Sequence, residues 1–382
     1  MKVMIACGGT GGHLFPGLAI AEMLQARQHQ VRLLVSEKAI DQTALAALTN
    51  SCDPSASIAV QAVPAVGYEG SSRLTRFCIR LAKATRVCAA ACNEFKPDVV
   101  LGMGGFTSVP ALFAARWFRR RGTAALIHES NAVPGKANRW AGRLADHVAV
   151  GVADCARYFG RKPVTITGTP VRASLRVRSG SGQRRMVDAR VHLGLHPDRI
   201  TVLIAGGSQG AHSVNEAVAN ALTWLKGKTG KAQFVHLSGL CDERFMREAY
   251  ERNGFEAKVM SFCSQMEQAY SAANLVVARS GAGTLTELAA FGLPSILIPY
   301  PHAAGNHQWH NARVFERAGA AEVVEQSQLN GPHGPAGQHL AEVLGGLLED
   351  EGRRQRMAEA ARSLSVDDAT ERIASLVEQY GH

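Results

Sequence analysis

A chain of 382 residues is long for one hydrophobic core, so its length predicts two domains. Hydrophobic residues make up 46% of the chain and glycine occurs 38 times, which is typical of an α/β protein with many tight turns. No run approaches the roughly 18 apolar residues that a membrane helix needs. The first apolar run leads at once into a predicted strand, which disfavours a signal peptide, and we therefore expect a cytoplasmic protein.

The net charge of +10 is unevenly distributed between the two halves of the chain. Residues 1–172 contain 21 Lys and Arg against 10 Asp and Glu, a net charge of +11, whereas residues 173–382 contain 21 against 22, a net charge of −1. A one-sided excess of this kind indicates an anionic partner of the first half: a nucleic acid, an anionic membrane or a phosphorylated substrate.

The N-terminal segment has the pattern of a strand, a glycine-rich turn and a helix. The apolar run Lys2–Ala6 is followed by a turn at residues 8–13, and helical periodicity resumes at Leu14. Such a turn presents backbone N–H groups and the positive end of a helix to an anion, most often a phosphate. A helix N-terminus disfavours the imidazolium form, so we expect His13 to be neutral at pH 7 and suited to act as a general base.

Two other interpretations of this turn stay open. It has only part of the dinucleotide fingerprint G-x-G-x-x-G, because Leu14 occupies the third glycine position when the count starts at Gly9. Glu37 follows the second predicted strand, where nicotinamide and flavin enzymes have an acid that binds ribose. The other interpretation is a purely structural turn, with His13 as a hydrogen-bonded polar side chain.

Strands and helices alternate along both halves, which predicts two parallel sheets with helices on their faces. The predicted strands cover residues 2–6, 31–35, 98–101, 124–128, 147–150, 164–167, 201–205, 233–237, 257–260, 274–278 and 295–298. Residues 161–185 include a last strand, a turn and a basic, glycine-rich segment, and we expect the domain boundary there. Two helices after residue 335 are predicted to close the chain.

The second half contains two more glycine-rich turns. Residues 206–211 follow a buried-type strand, and residues 279–287 follow the strand predicted at 274–278 and open a helix. Small residues allow backbone N–H groups to approach a diphosphate, and the carboxylate of Glu287, in the first helical turn, could hold a ribose diol. The alternative is a helix cap, with Thr284 as the N-cap and Glu287 three residues later.

A polar loop at residues 299–308 is rich in histidine and amide side chains. The histidines of this region are His302, His307 and His310. A metal site is one interpretation, but no carboxylate or cysteine accompanies these histidines at ligand spacing. Recognition of sugar hydroxyls by the amides of Asn306 and Gln308 suits the loop better.

The sequence has no Asp-x-Asp motif of the kind that metal-dependent sugar transferases use. A diphosphate leaving group would then be neutralised by helix dipoles, backbone N–H groups and a cation such as Arg172.

Residues 73–92 are predicted to form a helix with an apolar face and a basic face. The cations that lie together on the basic face are Arg73, Arg76, Arg80, Lys83 and Arg86. Residues 116–121 add a second basic and aromatic cluster. An ordinary solvated helix face explains the charges, and docking on an anionic membrane explains both the charges and the apolar tips. Nucleic acid is disfavoured because no recognised binding motif accompanies the charge.

Taken together, these segments strongly resemble one protein family. They are residues 8–13, 102–110, 128–131, 169–172, 206–211, 279–287 and 306–308. They occur in the family's order and span nearly the whole chain. By this ordered set the chain is identified as a member of the MurG family, the bacterial N-acetylglucosaminyltransferases that convert lipid I to lipid II in peptidoglycan synthesis.

The resemblance implies an α/β architecture of the GT-B type, two Rossmann-like parallel-sheet domains separated by a cleft. Residues 1–167 would form the domain that faces the acceptor and the membrane, and residues 168–364 the domain that binds the UDP-sugar. A C-terminal helix at about residues 365–382 would return to the first domain.

The resemblance also implies the reaction. N-acetylglucosamine would pass from UDP-N-acetylglucosamine to the 4-hydroxyl of the N-acetylmuramyl-pentapeptide of lipid I, an undecaprenyl diphosphate, with inversion and without a metal or cofactor. The enzyme would lie peripherally on the cytoplasmic face of the bacterial inner membrane, in the pathway that supports cell-wall growth, cell shape and division.

Carried over by position, the resemblance implies one catalytic residue and a set of substrate-binding residues. His13 matches the family's candidate base. The substrate-binding positions are Thr10, Gly11, Gly12, Asn131, Arg172, Ser208, Cys263, Thr284, Glu287 and Gln308. Cys263 stands where the family usually has a branched apolar residue whose backbone meets the uracil. Phe106 replaces a common tyrosine, and Thr169 replaces an asparagine often found before the Pro-Val-Arg segment.

Two other functions stay open at this point. An enzyme of the UDP-N-acetylglucosamine 2-epimerase type would bind the same donor in a similar two-domain fold but would not need a membrane-facing surface. A non-catalytic scaffold at the membrane would bind the sugar nucleotide without turning it over.

Overall fold

The computed structural model describes residues 1–8, 11–37, 58–64, 74–118, 122–172, 175, 182–207, 210–227, 232–329 and 335–381. Two compact units divide the chain: the first consists of residues 1–173 with residues 366–382, and the second of residues 174–365. Residues 168–172, which the sequence groups with the second domain, belong to the first unit. One contact that holds them there is the Gly168 carbonyl, which accepts a hydrogen bond from the buried ring of His128 at 2.9 Å.

The described part of the first unit contains a parallel sheet of seven strands. They are β1 Lys2–Ala6, β2 Gln30–Ser36, β3 Ala59–Val63, β4 Val99–Gly102, β5 Ala124–Glu129, β6 His147–Val150 and β7 Val164–Ile166. The spatial order is β3-β2-β1-β4-β5-β6-β7, so the chain reverses its direction of travel across the sheet between β1 and β4. Ala6 is in register with Gly102, which brings the turns after β1 and β4 together at one edge.

The second unit contains a parallel sheet of six strands within the described ranges. They are β8 Thr201–Ala205, β9 Gln233–Leu237, β10 Glu256–Met260, β11 Leu275–Ala278, β12 Ser295–Leu297 and β13 Ala321–Val323. The order β10-β9-β8-β11-β12-β13 places the same kind of reversal between β8 and β11. β8, β9 and β11 are buried along their whole length, as expected for strands covered on both faces.

The described ranges contain fourteen α-helices, α1 to α14 in chain order. They are α1 Gly11–Ala26, α2 Leu74–Phe95, α3 Gly105–Phe118, α4 Lys136–Leu144, α5 Gly182–His192, α6 His212–Leu225, α7 Glu243–Asn253, α8 Met266–Ala272, α9 Ala282–Phe291, α10 His307–Arg317, α11 Gln326–Leu329, α12 Gln338–Glu349, α13 Glu351–Ser363 and α14 Ala369–Tyr380. A 3₁₀ helix covers Ala153–Phe159. Within these ranges no helix is both long enough and apolar enough to cross a membrane.

Helices cover both faces of the first sheet and create two hydrophobic cores. On one face, α1 and the C-terminal helix α14 contribute Leu24 and Ile373 to a buried cluster with strand residues. On the other face, α2, α3 and α4 contribute Cys88, Leu112 and Ala141. The C-terminal helix is therefore part of the core of the first unit, although it follows the second unit in sequence.

The predicted architecture of two Rossmann-like parallel sheets is confirmed. Several boundaries differ from the sequence prediction. The short strands β3 and β13 were not predicted, and three helices rather than two follow residue 335. Asp350 separates the first two of these, because its carboxylate accepts a hydrogen bond from the Arg353 N–H at 2.7 Å and starts a new helix.

Candidate functional site

The first candidate site lies at the edge where β1 and β4 end side by side. Gly11, Gly12 and His13 are the first three residues of α1, so the helix begins three residues earlier than its periodicity predicts. A Cβ atom on Gly104 would lie 2.7 Å from Cε1 and Nδ1 of His13, and one on Gly105 would lie 3.2 Å from its Cδ2. The imidazole therefore packs against a backbone turn that has no room for side chains. Ligands of parallel sheets bind at such reversal points.

The turn that contacts His13 is held in place by Ser108 of α3. The Gly104 N–H donates to the Ser108 hydroxyl at 2.9 Å, and that hydroxyl donates to the Gly104 carbonyl at 2.8 Å. Phe106, the residue that replaces a tyrosine, contacts the ring of Phe77 in α2 edge to face, with 6.0 Å between the ring centres. The Ser108 side chain of α3 therefore fixes the turn, and the contact between Phe106 and Phe77 joins it to α2.

The buried carboxylate of Glu129 organises the loop after β5, and it is only 1% exposed. Its Oε1 accepts from the backbone N–H of Asn131 at 2.9 Å and from the side-chain amide of the same residue at 2.8 Å. Its Oε2 accepts from Asn138 Nδ2 at 2.7 Å and from the Gly135 N–H at 3.3 Å. A buried carboxylate is stable when several N–H donors share its charge. The predicted site residue Asn131 is therefore held in one orientation by a residue that the sequence did not single out.

His128 is a structural residue rather than a second base. It is fully buried, and burial lowers the pKa of its ring, so the ring is neutral. Its Nε2 donates to the Gly168 carbonyl at 2.9 Å, which leaves Nδ1 as the acceptor, 3.5 Å from the Ser130 hydroxyl. The ring links the end of β5 to the segment after β7.

The second candidate site lies where β8 and β11 end side by side in the second unit. Ala205 is in register with Ala278, so the turns that follow them share one edge. Gly210, in the first turn, has a φ of 74°, and a Cβ atom there would lie 2.5 Å from the Ser238 carbonyl oxygen. The segment after β11 leads into α9, and the first helical turn of α9 has no acidic residue. Its N–H groups and the positive helix end form a site suited to an anion.

The alternative interpretation of Thr284 as a helix cap is wrong. α9 begins at Ala282, its N-cap is Gly281, and no side chain caps it. Thr284 is therefore inside the first turn, and Glu287 lies in the second turn rather than the first. The Glu287 carboxylate accepts a hydrogen bond from the Tyr270 hydroxyl at 2.7 Å, which fixes its direction. The prediction failed because a glycine N-cap has no side-chain signal.

Arg279 joins three segments of this site, a role that the sequence did not reveal. The side chain is buried, and its guanidinium donates to the carbonyls of Ile298 and Pro299 at 3.1 Å each. It also donates to the Ser213 hydroxyl at 2.9 Å and to Gln326 Oε1 at 2.7 Å. Burial lowers the pKa of Arg279. These four acceptors are neutral, so a buried cation lies directly behind the turn after β11.

Gln308 connects the polar loop to the same turn. Its Oε1 accepts from the Tyr300 N–H at 3.0 Å, and its carbonyl accepts from the Ser280 hydroxyl at 2.8 Å. In the same loop His307 Nδ1 donates to the Ala304 carbonyl at 2.8 Å. Among the residues that the structure describes, no group of three or more His, Cys, Asp or Glu side chains is arranged to hold a metal ion.

A chain of polar side chains supports the end of β9. His236 is buried, which lowers its pKa to about 3, and its Nε2 donates to Asn215 Oδ1 at 3.0 Å. Asn215 Nδ2 donates to the Ser238 carbonyl and to Asp242 Oδ2, both at 2.8 Å. Asp242 lies 3.0 Å from Nδ1 of His212, and this hydrogen bond raises the pKa of His212. The network fixes the loop that contacts Gly210.

The other predicted site residues are distributed as follows. Cys263 lies after β10, and burial raises the pKa of its thiol. Arg172 belongs to the first unit, one residue before the chain passes into the second unit. Its guanidinium carbon lies 4.2 Å from the centre of the Phe15 ring. Thr10 and Ser208 lie outside the described residues.

The surface of α2 and α3 carries exposed apolar and basic side chains. Ile79 is 69% exposed and Trp117 is 84% exposed. The exposed cations of α2 are Arg76, Arg80, Lys83 and Arg86. Arg73 and residues 119–121, which the predicted patch includes, lie outside the described part of the chain.

Two family models match the chain. The glycosyltransferase family 28 N-terminal domain matches residues 3–150, and the glycosyltransferase family 28 C-terminal domain matches residues 201–373. The first match covers the turn with His13 and the second covers the turns after β8 and β11.

Individual proteins are similar over nearly their whole length. The UDP-N-acetylglucosamine–N-acetylmuramyl-(pentapeptide) pyrophosphoryl-undecaprenol N-acetylglucosamine transferase of Geobacter sulfurreducens is 36% identical, over 98% of this chain and 97% of its own. The crystal structure of Acinetobacter baumannii MurG is 26% identical and superposes with a TM-score of 0.75 over 99% of both chains. The S. aureus MnaA–UDP co-structure, 14% identical with a TM-score of 0.65 over 99% of this chain and 96% of its own, shares the fold.

Proposed function

The chain belongs to the MurG family of N-acetylglucosaminyltransferases, and from this premise we propose how its two units share the reaction. The protein is a glycosyltransferase that transfers N-acetylglucosamine from UDP-N-acetylglucosamine to lipid I and makes lipid II for peptidoglycan. In our proposal the second unit provides most of the donor contacts, and the first unit provides the others, binds the muramyl sugar and supplies the base. The observation that carries this proposal is the position of His13, in the first turn of α1 and against Gly104 and Gly105.

His13 acts as the general base of a single displacement. As the 4-hydroxyl oxygen of the muramyl sugar forms a bond to C1 of N-acetylglucosamine, the hydroxyl proton passes to the imidazole. The bond between C1 and the β-phosphate oxygen breaks, UDP leaves with the electron pair, and the configuration at C1 inverts. Contact with Gly104 and Gly105 fixes the ring, and a positioned base of this kind accelerates a reaction about 10²–10⁴-fold.

The second unit neutralises the leaving diphosphate. The N–H groups at the start of α9 and the buried guanidinium of Arg279 together place positive potential at the edge where β8 and β11 end. Glu287, oriented by Tyr270, accepts from the ribose hydroxyls. We propose that these groups and Arg172 take the place of a metal ion, so the reaction proceeds in EDTA.

The remaining donor contacts follow the family's pattern. In this proposal the donor is contacted by Gly11 and Gly12 at the start of α1 and by Asn131, which Glu129 fixes. Thr10 is a further donor contact in the family's pattern. The other donor-binding residues in this proposal are Thr284 and Ser208 at the diphosphate, Gln308 at the sugar hydroxyls and the backbone of Cys263 at the uracil.

We further propose that the enzyme binds the cytoplasmic face of the inner membrane through α2 and α3. Ile79 and Trp117 are exposed apolar side chains, and the cations of α2 lie on the same surface helix as Ile79. An apolar tip flanked by cations is the arrangement that binds anionic headgroups, with about 1 kcal/mol for each Lys or Arg near the surface.

Vesicle sedimentation with phosphatidylglycerol-containing vesicles tests the membrane surface. Reversal of charge at Arg76, Arg80 and Lys83 to Glu is expected to lower binding at least tenfold, and the loss should shrink as salt rises. The control reverses three exposed cations of the second unit, Lys226, Lys258 and Arg356, which gives the same net charge. Equal loss in both variants would indicate a response to net charge alone and would reject the surface; competition by RNA would favour nucleic acid as the partner.

UDP release from UDP-N-acetylglucosamine, measured in EDTA with and without a lipid I analogue, tests the reaction. The proposal predicts release that needs the acceptor and does not need a divalent metal. Release without acceptor, or formation of an epimerised sugar nucleotide, would support the epimerase alternative. Binding of UDP-N-acetylglucosamine with no release under either condition would support a scaffold.

A further inference from the structure

The aromatic ring of Phe15 lies between the start of α1 and the guanidinium of Arg172. Phe15 is in the second turn of α1, and its side chain points back toward the helix N-terminus, as long side chains in helices do. A Cβ atom on Gly11 would lie 3.1 Å from Cε2 and 3.4 Å from Cδ2 of this ring. On the ring itself, the Arg172 guanidinium carbon lies 4.2 Å from the centroid. The Phe15 ring thus contacts both the start of α1 at Gly11 and the Arg172 guanidinium.

The Phe15 ring brings the Arg172 guanidinium near the N-terminal end of α1. A helix N-terminus carries about half a positive elementary charge, which repels a guanidinium placed near it. The first turn of α1 contains no acidic residue that would offset the repulsion. The face of an aromatic ring attracts a guanidinium. The ring therefore holds Arg172 close to a positive helix end, an arrangement that favours an anion beside both.

We infer that Phe15 is a positioning residue that orients Arg172 toward the phosphates of the donor. This inference rests on the proposed function, in which Arg172 contacts UDP-N-acetylglucosamine. Glycine at position 11 is also required for this arrangement, because a side chain there would displace the Phe15 ring. Phe15 itself touches no reacting atom and acts through the guanidinium.

The first experiment measures donor KM, acceptor KM and kcat for Phe15→Leu and Phe15→Met, both of which keep apolar bulk without a ring. Loss of a partly buried cation–π contact is expected to raise the donor KM about three- to tenfold. The acceptor KM should stay within about twofold. In this proposal Arg172 also neutralises the leaving diphosphate, so kcat should fall by no more than about tenfold. Phe15→Tyr keeps the ring and should restore the donor KM to within about twofold.

A matched control is available in the same unit. Phe95, the last residue of α2, is also partly buried and also lies under a cation, with the Arg32 guanidinium carbon 4.8 Å from its ring centre. Phe95→Leu removes the same type of contact from α2 and should leave the donor KM unchanged. A rise in donor KM for Phe95→Leu equal to that for Phe15→Leu would mean that general destabilisation causes the effect, and would overturn the inference.

A double-mutant cycle between Phe15→Leu and Arg172→Ala measures the coupling, with calorimetric binding of UDP as a second readout. If Phe15 acts through Arg172, Phe15→Leu has no further effect once Arg172 is alanine. A full effect of Phe15→Leu in the Arg172→Ala background would overturn the inference while leaving the donor role of Arg172 intact. Unchanged donor KM in Arg172→Ala would instead reject that donor role, which is a failure of the proposed function.

Discussion

A histidine follows a glycine-rich turn in each unit, but the two histidines have different neighbours. His13, in the first turn of α1, packs against the backbone of Gly104 and Gly105. His212, the first residue of α6, has a 72% exposed side chain 3.0 Å from the Asp242 carboxylate, which raises its pKa. The same sheet topology positions both rings. The carboxylate favours the charged form of His212, which is unsuited to a base, whereas His13 is the base in our proposal.

The two units also differ in what holds their turns. In the first unit, one buried carboxylate, Glu129, accepts four hydrogen bonds and fixes the loop after β5. In the second unit a relay of neutral groups, His236 and Asn215, leads to a carboxylate, Asp242, that is shared with an exposed histidine. One fold thus holds the turns of its two candidate sites with different polar side chains.

The largest expected difference is between substitutions of the two histidines. His13→Gln should lower kcat about 10²–10⁴-fold, because the proton of the acceptor hydroxyl then has no positioned acceptor. His212→Gln should change kcat by less than about twofold, since this exposed imidazole is paired with Asp242 and takes no part in the proposed proton transfer. UDP release with a lipid I analogue measures both. Equal kcat values for the two variants would contradict the proposed difference in role between His13 and His212.

Gly104→Ala should separate contact with His13 from backbone strain. At a φ of 109° the new Cβ atom would meet the imidazole at 2.7 Å, so we expect the ring to move and kcat to fall about tenfold. Gly122→Ala is the control, because Gly122 has a φ of 89° and open space around the position of a Cβ atom. Both variants should lose about 1–2 kcal/mol of stability from the left-handed backbone. A similar fall in kcat for Gly122→Ala would mean that backbone strain, and not displacement of His13, lowers kcat in Gly104→Ala.

Glu129→Gln should destabilise the protein more than Asp242→Asn does. The substituted amide at position 129 presents an N–H₂ group to donors that are already buried, and we expect a loss of about 2–3 kcal/mol in the free energy of unfolding. Asp242 is bonded to a partner at the surface, so water can replace part of its contacts and about 1 kcal/mol should be lost. Urea unfolding measures both, and a higher donor KM for Glu129→Gln would report displacement of Asn131. Equal losses would contradict a special role for the buried carboxylate.

The smallest expected effect is the pH dependence that His212 contributes to stability. Its pKa in the folded protein lies above the ordinary value of 6.5, because of the hydrogen bond to Asp242. The stabilisation is therefore fully present below about pH 6.5 and is lost as the pH rises through the higher folded pKa. Because the imidazole is 72% exposed, this stabilisation should amount to about 0.5 kcal/mol or less, and salt should weaken it. Proton NMR titration of His212 measures the pKa directly; a pKa below 6.5 would contradict the pairing.

The sequence was sufficient for features that local pattern controls. The buried strands β1, β8 and β11 follow from apolar runs interrupted by glycine. It was insufficient where a helix begins without a side-chain signal. The start of α9 behind Gly281 has no such signal, and the alternative of a cap at Thr284 is therefore wrong.

Contacts between distant parts of the chain were also beyond the sequence. Gly104 is 91 positions from His13, and Arg172 is 157 positions from Phe15, so nothing in the local pattern at either end indicates the contact. The sequence does not indicate the role of Glu129, because its hydrogen-bond donors become neighbours only when the loop after β5 folds back. These contacts are set by the sheet order, which single-segment periodicity does not contain.

The most direct test of the central claim is the pH dependence of kcat for the wild-type enzyme and His13→Gln, at saturating donor and lipid I analogue. If His13 is the base, the wild-type kcat falls about tenfold per pH unit on the acid side as the imidazole is protonated. His13→Gln should then have a much lower kcat without that acid limb. An acid limb of the same position in His13→Gln, at a kcat close to that of the wild type, would contradict the assignment of His13 as the base.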